Sequence, residues 1–262
     1  RSAAKAQAWV AEYGGSSAPT PREAAAGADF VFACVGDDDD LRSVVLGADG
    51  AFAGMAPGAV FVDHTTASAE VARELYGAAR TLGLQFVDAP VSGGQVGAEA
   101  GTLSIMVGGP DELVAQAMPY LSSAGNPVHL GPTGAGEVAK ACNQLICAAN
   151  IVANAEAAVV AERAGLDVGK LFELMLGGYA GSKIMADKGP RYVAKDYAVS
   201  GAAIFWIKDL KAYLDEASRT GTATVQGDRL LDAFQGVVDA GWGWQDTAIV
   251  QKFIEEQDAD AN

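Results

Sequence analysis

Up to about residue 130, short apolar runs alternate with helical patterns. The runs lie at 29–35 (DFVFACV), 59–63 (AVFVD), 84–88 (LQFVD), 103–107 (LSIMV) and 127–130 (PVHL). Three of them are continuous rather than alternating, the pattern of strands buried on both faces of a sheet. Between them the spacing predicts helices at about 3–12, 21–27, 38–46, 69–82 and 111–124. Alternation of this kind predicts an α/β layer with a mainly parallel sheet. After Gly131 the pattern changes. A nearly unbroken helical stretch runs from Ala135 to about Ala164, and further helices follow at about 168–176, 181–188, 200–219, 226–240 and 246–256, with no strand. At about 1.5 Å per residue the long helix would span about 45 Å, a length suited to bridging two domains. The expected organisation is an α/β domain over 1–132 and an all-helical domain over 133–262.

Composition narrows the function classes. Of 262 residues, 50% are hydrophobic and 19% charged, which suits one large core or two smaller ones and excludes a disordered chain. The net charge of −15 repels phosphate backbones and anionic lipid, so nucleic-acid and membrane-surface partners are excluded. No apolar run reaches the roughly 18 residues of a membrane span, which predicts a soluble protein. Cys34, Cys142 and Cys147 form no C-x-x-C pair, so neither a disulfide framework nor a zinc site is expected, and a cytoplasmic location fits.

Several constellations carry chemistry. Residues 134–139 (GAGEVA) fit a dinucleotide fingerprint, but a long helix leading into more helices follows, not a βαβ unit, so the match is read as coincidental. The same segment sets Gly136, Lys140, Asn143 and Cys147 on one helical face, where a lysine beside an asparagine can bind and protonate an oxygen. The alternative is a surface lysine snorkelling past an apolar contact. Residues 88–94 (DAPVSGG) end a strand and offer a hydroxyl and unhindered amides to an anion, or form a plain turn. Lys208-Asp209-Leu210 lies in a helix, with a solvent-exposed charge pair as the bland reading. His64 and His129 read as structural, and the Asp37–Asp40 run as a helix start rather than a metal site.

In their order along the chain, DAPVSGG at 88–94, GAGEVAKACNQ at 134–144, KDL at 208–210 and the weaker VDHTTAS at 62–68 resemble the β-hydroxyacid dehydrogenase family, the group containing 3-hydroxyisobutyrate dehydrogenase and tartronate semialdehyde reductase. The resemblance implies a Rossmann-like domain followed by an all-α domain, and NAD(P)-dependent hydride transfer at C3 of a small anionic 3-hydroxy or 3-oxo acid. It implies Lys140 as the catalytic residue, and Asn143 with Ser92, Gly93 and Gly94 as substrate ligands. Val35, Gly36, Thr66 and Lys208 would face the cofactor. Gly36 departs from the family's proline. KACNQ and LGGYAGSKI (176–184) resemble the tartronate semialdehyde reductase branch, while IFWIKDL also resembles threonate-type sugar-acid dehydrogenases. Family members open with a strand, a G-x-G-x-x-G turn, a helix and a second strand, and this chain starts as if at the end of that unit. About 30 residues, one β-α-β segment, are therefore expected to precede it. Arg1 and Ser2 would stand where a 2′-phosphate is bound, which tilts the cofactor from NAD toward NADP. A homodimer or homotetramer is expected from the same resemblance. The competing readings are a non-catalytic protein of the same fold and an imine reductase, the latter disfavoured by Lys140.

Overall fold

Short polar side chains open the helices where the periodic patterns begin. Ser2, Thr20, Asp37, Ser68, Asp167 and Ser182 each accept a hydrogen bond from a main-chain N–H two or three residues inside the helix they cap. The computed structural model describes residues 2–257. In chain order the elements are α1 (Ala3–Tyr13), α2 (Pro21–Ala25), β1 (Phe30–Ala33), α3 (Asp38–Leu46), β2 (Val60–Asp63), α4 (Ala69–Thr81), β3 (Gln85–Asp88) and β4 (Val91–Ser92). They continue with α5 (Gly94–Glu99), β5 (Leu103–Gly108), α6 (Asp111–Leu121), β6 (Gly125–Gly131), α7 (Ala135–Arg163), α8 (Val168–Leu176) and α9 (Lys183–Ala194). The last three are α10 (Phe205–Arg219), α11 (Gly227–Asp239) and α12 (Val250–Gln257). The chain divides into two compact units, with the boundary between Lys140 and Ala141, inside α7 rather than at the loop before it.

In the first unit the sheet order is β1-β2-β3-β5-β4, with β6 on the other side of β5. The pairs β1–β2, β2–β3 and β5–β6 are parallel, as the alternation predicts. The β3–β5 and β4–β5 pairs are antiparallel, because β4 and the short α5 turn the chain back; neither element has a pattern long enough to read in sequence. Alternate residues face opposite layers: Phe61 and Phe86 pack with α3 and α4, whereas Val60, Val62 and Val87 pack with α6. The continuous apolar run at 29–35 does not make a strand covered on both faces. Within the described sheet β1 is an edge strand, and Phe32 is 45% exposed against His64 and Tyr120.

The second unit is helical, and its described residues contain one isolated bridge, Ala202 to Asp246. Its core is Ala148, Ile151 and Ala155 of α7 packed with Phe172, Tyr192, Leu210, Phe234 and Ile249. Tyr192 also donates its hydroxyl proton to the Ile151 carbonyl at 3.0 Å. One correction concerns α7. It does contain an 18-residue window with a mean hydropathy of 1.5, long and apolar enough to cross a membrane by composition alone. Ala148, Ile151, Ala155 and Ala158 are core residues of this unit, whereas Ile146 and Val160 are exposed, and Asn143, Gln144, Asn150 and Asn154 interrupt the apolar run in the sequence.

Candidate active site

The parallel register sets Ala33, Asp63 and Asp88 side by side, so the loops after β1, β2 and β3 leave one end of the sheet together. These are carboxyl ends of parallel strands, where open α/β sheets bind ligands. Val35 donates its N–H to Thr65 Oγ1 at 3.0 Å, tying the first loop to the second. A Cβ on Gly36 would approach Asp40 Oδ2 at 2.7 Å, so any larger residue there displaces that carboxylate. Thr66 is half-buried in the second loop. The acidic run is structural, as expected: Asp37 caps α3, and Asp38 accepts both the N–H and the hydroxyl proton of Ser68, the cap of α4. His64 is also structural. Its Nδ1 meets the Ala89 carbonyl at 2.6 Å, and burial pushes its pKa down despite that bond.

The third loop carries Ser92, Gly93 and Gly94. Ser92 is half-buried at the end of β4, opposite Ser104, and the two glycines are exposed with φ of 138° and 63°. A side chain at 93 would also press on Leu103, so glycine is required there by backbone angle and by space.

Asp88 determines how α7 begins. Its Oδ1 accepts the Gly134 N–H at 2.8 Å and its Oδ2 the Glu137 N–H at 3.2 Å. The amides that a pyrophosphate would need at GAGEVA are therefore already bonded to a carboxylate, in line with reading that match as coincidental. The helix start lies so close to the sheet that a Cβ on Gly136 would run into the carbonyl oxygens of Met106 and Asp88. Gly136→Ala is expected to cost about 1–3 kcal/mol by overpacking, read as a lower urea midpoint. An unchanged midpoint would show that the contact relaxes freely.

One turn further, Lys140 is 6% exposed and so is not a surface lysine. The first unit also buries three acids, Asp63, Asp88 and Glu137, the last of them interacting with the Lys140 charge. Burial pushes Asp63 up to about 7 against the hydrogen bonds from Thr65, and Asp88 and Asp38 add to the rise. Burial also raises Asp88, opposed by the amides of α7, and holds Glu137 well above the usual carboxylate range, with Asp63 and Asp88 contributing. Sequence reasoning missed Asp63 and Glu137 as members of the site. The signal for Asp63 was present, since an acid that ends an apolar strand is seldom left bare.

In the second unit, Asn143 donates to Gln144 Oε1 at 2.8 Å, Gln144 donates to Asp209 Oδ2, and Lys208 Nζ lies 2.7 Å from Asp209 Oδ1. Asp209 is buried, so the exposed charge pair of the bland reading is not what forms. Asp209 instead links the lysine of KDL to the α7 residues beside Asn143. Ser2 caps α1, accepting from Lys5 N at 3.3 Å, and Arg1 lies outside the described residues.

The sequence profile of the NAD-binding domain of 6-phosphogluconate dehydrogenase matches residues 1–147, and that of the NAD-binding domain of NADP-dependent 3-hydroxyisobutyrate dehydrogenase matches 134–254. The chain belongs to the β-hydroxyacid dehydrogenase family. An uncharacterised oxidoreductase of Shewanella frigidimarina is 43% identical, over 96% of this chain and 87% of the relative. A probable 3-hydroxyisobutyrate dehydrogenase-like mitochondrial protein of Arabidopsis thaliana is 40% identical over 88% and 70%. Among solved structures, the Mycobacterium tuberculosis 3-hydroxyisobutyrate dehydrogenase with L-serine superposes with a TM-score of 0.84 at 30% identity, covering 96% and 88%. A β-hydroxyacid dehydrogenase uses NAD(P), and Val35, Gly36 and Thr66 lie in the loops that follow the level ends of β1 and β2.

Proposed function

We propose that the protein interconverts a small 3-hydroxy acid and its 3-oxo counterpart, with Lys140 as proton donor and acceptor. The observation that carries this reading is the burial of Lys140 one turn into a helix whose start is fastened to the carboxyl end of β3. A nicotinamide, when bound, would accept or supply the hydride. The side chains do the rest. In the reducing direction Lys140 gives its proton to the oxygen on C3, and Asn143, three residues along α7, orients that oxygen. Ser92 and the Gly93–Gly94 backbone hold the substrate carboxylate. Lys208, anchored on Asp209, adds a local cation for anionic ligands in a chain of charge −15.

The L-serine of the Mycobacterium structure supports a substrate with its hydroxyl on C3. The test is a substrate panel followed by nicotinamide absorbance: 3-hydroxyisobutyrate, L-serine and D-glycerate for oxidation, tartronate semialdehyde for reduction, and lactate as a 2-hydroxy control. Turnover of at least one 3-hydroxy or 3-oxo acid, with none of lactate, is expected. Preference for lactate would refute the assignment. For the cofactor we favour NADP over NAD on Arg1 and Ser2, and equal kcat/KM with both would remove that preference.

A further inference from the structure

Asp246 opens the short turn 247–249, where its Oδ1 accepts the Ala248 N–H at 3.1 Å as an ordinary cap. The rest of its carboxylate is spent on a distant segment. Oδ2 accepts the N–H groups of Ser200 and Gly201 at 3.1 and 3.2 Å and the Ser200 hydroxyl proton at 2.7 Å, while Lys188 Nζ reaches both oxygens at 3.0 Å. Main-chain bonds continue the attachment. Thr247 N–H donates to the Gly201 carbonyl at 3.1 Å, Ala203 N–H to that of Gln245 at 2.9 Å and Ile204 N–H to that of Gly243 at 2.8 Å. The segment 200–204 is thereby laced to 243–247, with Ala202 bridged to Asp246 at its middle.

This segment is the entry to α10, a helix that no side chain caps. Its first three N–H groups, those of Phe205, Trp206 and Ile207, instead donate to the carbonyls of Ala202, Ala203 and Ile204 at 3.3, 3.1 and 3.3 Å. Lys208 follows in the same turn. The place of that turn is therefore set by residues whose own amides end on Asp246 and its neighbours. We infer that Asp246 is a positioning residue for Lys208: its carboxylate fixes 200–204, that segment fixes the first turn of α10, and the turn presents the Lys208 ammonium to an anionic ligand. The inference rests on the reading of Lys208 as the cation for that ligand. Lys188 has a different part, since it supplies the neutralising charge, and its removal leaves the Ser200, Gly201 and Ala248 donors in place.

Steady-state kinetics on an anionic 3-hydroxy acid separate positioning from packing. Asp246→Ala is expected to raise KM about tenfold and hold kcat within about threefold, because a displaced cation weakens the binding of substrate and transition state alike. A chain that is merely less stable loses kcat through its inactive fraction and keeps its KM. Lys188→Met keeps the donor set and is expected to stay within about twofold in both. Ser200 is exposed, so Ser200→Ala removes one donor without opening the core; it is expected to raise KM about threefold, and Ser200→Thr to restore it. This pair decides the matter if Asp246→Ala does not fold. In a Lys208→Met background neither substitution should raise KM further. An unchanged KM, or a rise that persists undiminished without Lys208, overturns the inference. Amide hydrogen exchange needs no substrate. Exchange about tenfold faster at 205–207 in Asp246→Ala or Ser200→Ala, with the rest of α10 unchanged, supports the positioning. Exchange that is unchanged, or faster evenly along the helix, overturns it. If Lys208→Met alone leaves KM unchanged, the reading of Lys208 falls and the ligand half of the inference with it, while exchange still decides whether Asp246 sets the turn.

Discussion

Lys140→Ala is expected to lower kcat about a hundredfold to ten-thousandfold, the usual worth of a positioned proton donor, with a much smaller change in KM. The alkoxide that forms at C3 has no other acid placed for it in the proposed chemistry, and Asn143 can orient an oxygen but not protonate it. The fall should follow from chemistry rather than collapse. The side chain removed is a buried lysine, while the hydrogen bonds that start α7 belong to Asp88 and are untouched. Circular dichroism and the thermal midpoint should therefore stay near wild type. The basic limb of the rate profile should disappear together with the activity. A variant that retains kcat within about threefold would remove Lys140 from the mechanism.

The second large effect is on stability. Asp246 is fully buried and accepts from Lys188 Nζ at 3.0 Å on each oxygen. It also accepts from the Ser200 N–H and hydroxyl and from the Gly201 and Ala248 N–H groups. Asp246→Ala takes the buried carboxylate from the Lys188 ammonium, which keeps Ser200 Oγ at 3.0 Å and Asp187 Oδ2 at 3.5 Å, and removes the acceptor of these donors, at a cost of about 3–5 kcal/mol. For a domain of this size that is a drop of roughly 10 °C in the melting temperature. Lys188→Met removes the cation yet leaves Asp246 its four other donors, so a smaller loss is expected. Equal losses would show that the ion pair, not the donor set, holds the 200–203 loop. Burial alone would raise the Asp246 pKa, but the bonds from Ser200, Ala248 and Lys188 outweigh it and hold it below the usual carboxylate value. Its contribution is thus complete above the unfolded aspartate pKa and is lost as pH falls through the lowered folded value. Asp246→Ala should be correspondingly less sensitive to acid than wild type.

Much of this architecture can be read along the chain, because local rules decide it. Ser68 and Asp37 are caps at the expected ends, Gly165 closes α7 with a φ of 78°, and the apolar runs that end in Asp63 and Asp88 are strands. The three motifs behind Lys140, Ser92 and Lys208 are likewise contiguous. What escapes is long-range. Glu137 in the first turn of a helix reads as an ordinary partner for the dipole; only folding shows that its oxygen is spent on Ala67, 70 residues away. Asp209 reads as a solvated neighbour of Lys208 until Gln144, 65 residues earlier, takes its other oxygen. The edge exposure of Phe32 is invisible for the same reason, since sheet order is not written in any one run.

The Asp88 cap also bears on the order of folding. Helices assemble quickly from near neighbours, and pairings between distant strands form late. The first turn of α7 depends on a residue 46 positions upstream, at the end of a strand that must already be in register. The alanine-rich middle of the helix can therefore form early, while the turn that carries Lys140 waits for the sheet.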